Sequence, residues 1–311
     1  MPNFSNVLYV VNALNFSCTG LSTAINWARQ SCGRCRVTII YPQFPQSKDQ
    51  FSSNLVQGLE RDFIHRVERY LDENGLFQTD LVDIDIITHE KPAMAAVEQS
   101  LLSKADVMIK STEDDSAGFR AFDNTLLRKA SCPVYLVREE PPQATGKLAV
   151  AINAASNNEE EKQLSLRLLK VSAELADKAS VPLNIISCWQ FVFEDFISSN
   201  VWSKLDDAEQ ITLLRDYEEN NHDSLVQLIE QSGVNPEQGV IIHHKRGAVD
   251  VLVPLMIKSL DIDTLVIGTL ARTGFSGMLI GNTAENLLQK VGCSVVAFKP
   301  EAFRSPLDKR V

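Results

Sequence analysis

The stretch between residues 268 and 283 is the part of the sequence best suited to hold an anionic ligand. Gly268 directly follows a predicted buried strand, and a glycine there lets the backbone turn and come close to a ligand. Gly281 precedes a predicted helix, whose free amides and dipole favour a phosphate. Arg272 lies between them and adds a positive charge. This pattern predicts a site for the phosphates of a small molecule.

The same residues also have a purely structural interpretation. Asn282, followed three residues later by Glu285, resembles a capping box, in which the two side chains satisfy the amides of a helix start. Gly274 and Gly277 are typical of turns. The sequence has no G-x-x-x-x-G-K-[S/T] motif, which excludes a P-loop ATPase mechanism.

Short β-branched runs alternate with amphipathic helices along the chain, and the same order of elements occurs twice. The first strand of each half ends in a similar way, at Asn12 and at Asn153, and a proline-containing segment, 139–146, separates the halves. This self-similarity indicates a duplication. The predicted strands are 6–11, 37–41, 82–87, 107–109 and 134–137 in the first half, and 148–152, 183–188, 240–243, 265–267 and 294–298 in the second.

Five strand–helix alternations per half predict parallel sheets with helices on both faces. We therefore expect an α/β fold of two tandem, doubly wound five-stranded sheets with strand order 3-2-1-4-5, in residues 1–141 and 142–311. Such sheets bind ligands beyond the carboxyl ends of their strands, where the winding reverses between strands 1 and 4. That rule places Asn153 beside Gly268 and Thr269, with Cys188 at the end of the neighbouring strand.

The passage that starts at Gly268 resembles the signature of the universal stress protein family, G-x-x-G followed by nine residues and then G-[S/T]. The element order of both halves is similar to that family, and the motif in the second half only resembles the tandem, E-type members. In ATP-binding members an aspartate at the end of strand 1 contacts adenine, and the glycine loop with the final Ser/Thr holds ribose and phosphates.

Carried over to this chain, Gly268 matches the first glycine of the signature and Gly281 the last. Ala271 replaces the second glycine, Asn282 replaces the hydroxyl residue with Thr283 one place later, and Asn153 stands where the aspartate would be. The resemblance implies ATP or AMP as the cofactor of the second domain. The predicted binding residues are Asn153, Cys188, Gly268, Thr269, Ala271, Arg272, Gly281, Asn282 and Thr283.

The first half has a degenerate version of this site. Ser111 aligns with Gly268, and the loop that follows is shorter. Glu113, Asp114 and Asp115 stand where a phosphate would lie, and like charges oppose each other there. We therefore expect the first domain to bind no nucleotide.

Composition narrows the classes of function. The chain has 311 residues, a net charge of −10 and a pI of about 5.1, which disfavours nucleic-acid and membrane-surface partners. No run approaches about 18 apolar residues, and the start lacks the features of a signal peptide. We expect a cytoplasmic protein with reduced cysteines and a small-molecule ligand.

Three further patterns are weighed against structural explanations. Cys32 and Cys35 form a C-x-x-C, but at the end of a helix, so Gly33 is expected to be a helix terminator between ordinary thiols. His243 and His244 are adjacent on a strand, so they point to opposite faces and are not expected to share a metal ion. An aromatic segment, 189–202, indicates packing between the halves or against a second chain, or a lid over an apolar ligand.

The resemblance implies a stress-response binding protein that supports survival under starvation, oxidative or DNA-damaging stress. No nucleophile–base pair or carboxylate pair stands at catalytic spacing, so an enzyme is not the favoured hypothesis. Two alternatives stay open: a slow ATP hydrolase on the second domain, and an interaction scaffold that binds no ligand. Pairing of edge strands would give an internal pseudo-dimer of the two halves, and two chains would form a homodimer in the same way.

Overall fold

The computed structural model describes residues 4–43, 50–76, 81–112, 119–138, 146–191, 207–237, 239–269 and 281–308. The first half contains strands β1 (Asn6–Asn12), β2 (Arg34–Pro42), β3 (Val82–His89), β4 (Val107–Ser111) and β5 (Val134–Val137), with helices α1 (Leu21–Gln30), α2 (Gln50–Glu73), α3 (Pro92–Leu102) and α4 (Ala121–Lys129). The second half contains β6 (Leu148–Ile152), β7 (Leu183–Trp189), β8 (Val240–Arg246), β9 (Thr264–Gly268) and β10 (Ser294–Phe298), with α5 (Glu159–Ala179), α6 (Asp207–Ser232), α7 (Val249–Ser259) and α8 (Asn282–Leu288).

The ten strands form one sheet in the order β3-β2-β1-β4-β5-β10-β9-β6-β7-β8. Each half therefore has the predicted order 3-2-1-4-5, with parallel neighbours throughout, which confirms the predicted fold. The two expected sheets are joined edge to edge, because β5 and β10 pair antiparallel. The predicted domain boundary after residue 141 lies outside the described residues and stays a prediction.

The central strands are apolar because helices cover both faces of the sheet there, whereas the outer strands β3 and β8 carry charged side chains and are partly exposed. Every residue of β4, β5 and β10 is buried, and α1 buries Leu21, Ala24, Ile25 and Ala28, the stripe predicted by its 3.6-residue period. The strand β2 begins three residues before its predicted start, because Arg34 pairs with Asn6 of β1.

The C-x-x-C segment corrects the expected role of Gly33. After α1 ends, Cys32 and not Gly33 adopts the left-handed conformation, with φ of 50°. A Cβ on Gly33 would lie 1.9 Å from the Ser5 carbonyl oxygen, so glycine is required there for close approach to the chain entering β1. Cys35 is fully buried, and burial raises the pKa of its thiol to about 12.

Two buried cations connect the halves reciprocally. Arg138 follows β5, and its guanidinium donates to the carbonyls of Val291 and Cys293, at 3.3 and 3.2 Å, beyond the end of α8. Lys299 follows β10, and its ammonium donates to the Leu127 carbonyl in α4. Carbonyls near helix ends lack helical partners and attract cations, so each half supplies the charge for the other. Burial lowers the pKa of Lys299 to about 8.

None of the helices in the described ranges is long and apolar enough to span a membrane.

Candidate functional site

A pocket of about 330 Å³ opens at the carboxyl ends of β6 and β9, the two strands between which the winding of the second half reverses. Apolar side chains from the ends of β6, β7 and β9 and from helices α7 and α8 form its wall. The apolar lining residues are Ala151, Ile152, Ile186, Val249, Val253, Ile267, Ala284 and Leu287.

Five of the predicted site residues line this pocket: Asn153, Cys188, Gly268, Gly281 and Thr283. They come from the ends of β6, β7 and β9 and from the start of α8, so the fold brings together segments up to 130 residues apart in the sequence, as between Asn153 and Thr283. The structure thus brings these five residues together around one pocket, whereas their role in binding a ligand and the identity of that ligand stay predictions.

The other four predicted residues are placed differently. Thr269 is buried, and both its amide, at 2.7 Å, and its hydroxyl, at 3.1 Å, donate to the Phe298 carbonyl of β10. Its side chain therefore holds two strands together. Asn282 is the first residue of α8. Ala271 and Arg272 lie outside the described residues.

The close packing of helix α5 on strand β9 requires a glycine at position 268. A Cβ at this position would lie 2.7 Å from Leu164 Cδ2 and 3.3 Å from Leu168 Cδ1, both on α5. The glycine thus lets α5 pack closely on β9 beside the pocket. This is a different reason from the close approach of a ligand that the sequence suggested.

The start of α8 corrects the capping-box interpretation. The residue before the helix is Gly281, and the Glu285 amide donates to the Gly281 carbonyl at 3.0 Å, so Asn282 lies inside the helix and is not its cap. The Glu285 carboxylate instead pairs with Arg128 of the first half. Because the first helical bond is made by Glu285, the amides before it have no helical acceptor.

Glu161 is a lining residue that the sequence reasoning missed. Its carboxylate accepts from Asn153 Nδ2 at 3.2 Å and from the Ser156 hydroxyl. Asn158 caps α5 by accepting from the Glu161 amide at 3.2 Å, and this fixes the carboxylate against the end of β6. The signal was present in the sequence as an Asn followed by three glutamates, a typical helix start.

Cys188 contributes a neutral thiol to the pocket. Burial raises its pKa to about 11, so the thiolate that a nucleophile requires is scarce at neutral pH. The side chain serves as a small apolar surface next to Ile186.

Comparisons with known proteins agree with this geometry. Residues 160–299 match the family model described as the universal stress protein family. "Universal stress protein E" of Photorhabdus laumondii is 23% identical, over 99% of this chain and 98% of its own length. The protein of the same name from Escherichia coli K12 is 24% identical over 79% of this chain and 76% of its own. Residues 160–299 therefore belong to the universal stress protein family, and over nearly its full length the chain is similar to proteins named universal stress protein E.

Solved structures share the fold of this chain over nearly its whole length. A functionally unknown protein from Pseudomonas aeruginosa PAO1 superposes with a TM-score of 0.72 at 22% identity, covering 97% of this chain and 95% of its own. A universal stress protein from Archaeoglobus fulgidus DSM 4304 gives a TM-score of 0.60 at 13% identity, covering 95% and 98%. The tandem arrangement that the sequence resembled is thereby confirmed.

The matching place in the first half is filled by a buried ion pair. Aligning the last helix and strand of the two halves sets Asp123 opposite Ala284, and aligning Ser111 with Gly268 sets Lys110 opposite Ile267. Lys110 Nζ lies 2.9 Å from Asp123 Oδ1, and both residues are 1% exposed. Two pocket-lining apolar residues of the second half are thus replaced by a salt bridge.

Ser111 is also engaged within the first half. Its hydroxyl lies 2.6 Å from the Tyr9 hydroxyl and accepts from the Gly20 amide at 2.9 Å. The Ser111 hydroxyl is therefore engaged within the first half, and the predicted loss of a nucleotide site there stays a prediction. The acidic loop residues 113–115, on which the prediction rested, lie outside the described residues.

The two adjacent histidines have separate surroundings, as their alternation predicted. His243 Nε2 lies 3.0 Å from Asn184 Oδ1, and burial together with the Lys245 ammonium lowers its pKa. His244 stacks on Trp189 and meets His222 edge to face. Over the ranges that are described, no group of three or more His, Cys, Asp or Glu side chains is placed to hold a metal ion.

The start of the aromatic segment packs within the second half. Trp189 and Phe191 are buried, and their rings lie 5.8 and 5.1 Å from that of Tyr217 on α6. These two residues therefore pack against helix α6 of their own half. The remainder of the segment, 192–202, lies outside the described residues.

Proposed function

We propose that the second half binds one adenine nucleotide, ATP or AMP, in the pocket between β6 and β9. The observation that carries the proposal is convergence: Asn153, Gly268 and Gly281 line one cavity at the point where the winding reverses. Its volume of about 330 Å³ lies within the range of small-molecule sites. The resemblance to ATP-binding family members supports the choice of nucleotide.

The charges around the pocket orient this ligand. The Glu161 carboxylate repels phosphate at the end of β6, where Asn153 and Glu161 offer acceptors to the amino group of a base or to ribose hydroxyls. Ile186 and Val253 give an apolar surface for the flat face of the base. The phosphates then extend toward Gly281 and Thr283, on the side of the pocket formed by α8.

The proposed activity is binding without turnover. Among the lining residues that the structure describes, Glu161 supplies the carboxylate and Cys188 a neutral thiol, and no pair of them joins a nucleophile to a base. The function proposed for the whole chain is that of a cytoplasmic stress-response protein, which supports survival under starvation, oxidative or DNA-damaging stress.

Mass spectrometry of nucleotides released by boiling the purified protein tests this proposal. Co-purified ATP or AMP is expected, whereas ADP together with steady phosphate release would favour the hydrolase alternative. A thermal melt with added ATP or AMP should shift upward, because a ligand at about 100 times its Kd stabilises the native state by about 2.7 kcal/mol. The absence of both co-purified nucleotide and thermal shift would favour an interaction scaffold.

A further inference from the structure

Two polar side chains at the end of strand β6 line the pocket and are hydrogen-bonded to each other. Asn153 Nδ2 donates to Glu161 Oε2 at 3.2 Å. The same carboxylate oxygen accepts from the Ser156 hydroxyl, which in turn accepts from the Asn158 amide at 3.1 Å. The Asn158 side chain accepts from the Glu161 amide at 3.2 Å. Glu161 is therefore held through both its backbone and its carboxylate.

This network decides which atom of the Asn153 amide is offered to a ligand. A primary amide has a donor nitrogen and an acceptor oxygen, whereas an ionised carboxylate only accepts. The Glu161 carboxylate therefore takes the nitrogen, and the amide oxygen Oδ1 is left for the pocket. Within the described residues, Asn153 Oδ1 accepts no hydrogen bond and Glu161 forms no ion pair.

This end of the pocket therefore requires hydrogen-bond donors from its ligand. An acceptor that loses its water and gains no donor opposes binding. The base edge of an adenine nucleotide carries one kind of donor, the exocyclic 6-amino group, while its free ring nitrogens accept. The other polar side chains that line the described pocket, Cys188 and Thr283, come from β7 and α8 and lie away from this network.

We propose that Glu161 is a positioning residue for base recognition: it holds the Asn153 amide so that Oδ1 accepts from the 6-amino group of an adenine base. This inference rests on the nucleotide binding proposed above and adds the group by which the base is recognised. It also gives a reason for asparagine at position 153, because an aspartate there would set a second carboxylate against that of Glu161.

Calorimetric titration of the full chain with AMP and with purine riboside 5′-monophosphate, which lacks only the 6-amino group, tests this role. The wild type should bind AMP about tenfold more tightly, because one acceptor is left without a donor in the other complex. Glu161→Gln keeps the shape of the side chain, but its amide both donates and accepts. The Asn153 amide is then free to turn over and offer Nδ2 to a ring nitrogen, so the preference for AMP should fall to about twofold or less.

Two further variants separate positioning from a general effect of charge. Glu160→Gln removes the same charge from an exposed residue of the same helical turn, which is not among the described residues that line the pocket, and it should keep the preference of the wild type. Asn153→Asp combined with Glu161→Gln exchanges the two groups. This double variant should restore the preference, because either oxygen of the aspartate accepts.

The outcomes distinguish this inference from the proposed function. Equal affinity of the wild type for the two ligands, as expected if ribose hydroxyls met Asn153 Oδ1, would overturn the role of the amino group. An unchanged preference in Glu161→Gln, or a double variant that does not restore it, would overturn the positioning role of Glu161. If the wild type bound neither ligand, the nucleotide site itself would be wrong, and this inference with it.

Discussion

The two halves of this chain have the same strand order, yet the place beside strand 4 is an open pocket in the second half and is filled by side chains in the first. In the second half Ile267 and Ala284 line an open pocket. In the first half the matching residues, Lys110 and Asp123, form a buried ion pair. An open pocket and a closed, self-satisfied core are therefore two outcomes of one fold, decided by a few side chains on strand 4 and the helix that follows it.

The difference shows how side chains of the protein can fill this position. An unfilled apolar pocket loses packing contacts, whereas a lysine that reaches a carboxylate fills the space and satisfies both charges. Lys110 Nζ also donates to the Ser111 carbonyl at 2.8 Å and lies over the Phe122 ring. The first half thus replaces a possible ligand with its own side chains.

The largest expected effect comes from breaking this pair on one side. Asp123→Ala removes the carboxylate that lies 2.9 Å from Lys110 Nζ and leaves a buried ammonium behind. We expect the free energy of unfolding to fall by about 3–5 kcal/mol, measured by urea denaturation.

The matched control replaces Lys110 and Asp123 by the residue types found at the same places in the second half, isoleucine and alanine. In Lys110→Ile with Asp123→Ala both charges leave together, so the loss should be much smaller than for Asp123→Ala alone. If both variants lose the same stability, the pair acts only through packing, and the contrast between the halves has no electrostatic part.

A medium effect is expected at the glycine beside the open pocket. Gly268→Ala places a methyl group 2.7 Å from Leu164 Cδ2, and overpacking of this kind costs about 1–3 kcal/mol. Gly292→Ala is the control, since a Cβ there has no neighbour within 4 Å. Thermal melts of both variants would show the difference, and equal melting temperatures would mean that α5 is not held against β9 as closely as described.

A smaller, pH-dependent effect is expected at Lys299, which joins the halves. Its pKa is lowered to about 8 in the folded protein, so between about pH 8 and 10.5 the unfolded state binds more protons. The stability of the wild type relative to Lys299→Met should therefore rise with pH in this window, by at most about 1.4 kcal/mol per pH unit. Urea denaturation of both proteins at several pH values measures it, and a difference that stays flat or falls would contradict the sign.

Much of the fold could be predicted because buried parallel strands are continuous apolar runs. The bounds of β5, β6 and β10 agree with the sequence prediction to the residue. The strand β8 extends three residues further than predicted, because pairing with β7 and not local propensity holds His244–Arg246 in the sheet. The antiparallel join between β5 and β10 has no local signal at all.

The site was predictable only where a residue lies at a strand end. Asn153 and Gly268 follow from the rule on strand ends, whereas Glu161 depends on how α5 starts and folds back onto β6. Lys110 and Asp123 are 13 residues apart in the sequence, and nothing in this spacing indicates that they meet. In each case the missing information is a tertiary contact.

Calorimetric titration of the full chain with AMP tests the central claim, that one half is open and the other closed. One site per chain is predicted, abolished by Gly281→Asp, which puts charge and bulk at the phosphate end of the pocket, and preserved in the matched control Arg120→Asp in the first half. Two sites per chain, no binding at all, or binding that survives Gly281→Asp would contradict the account.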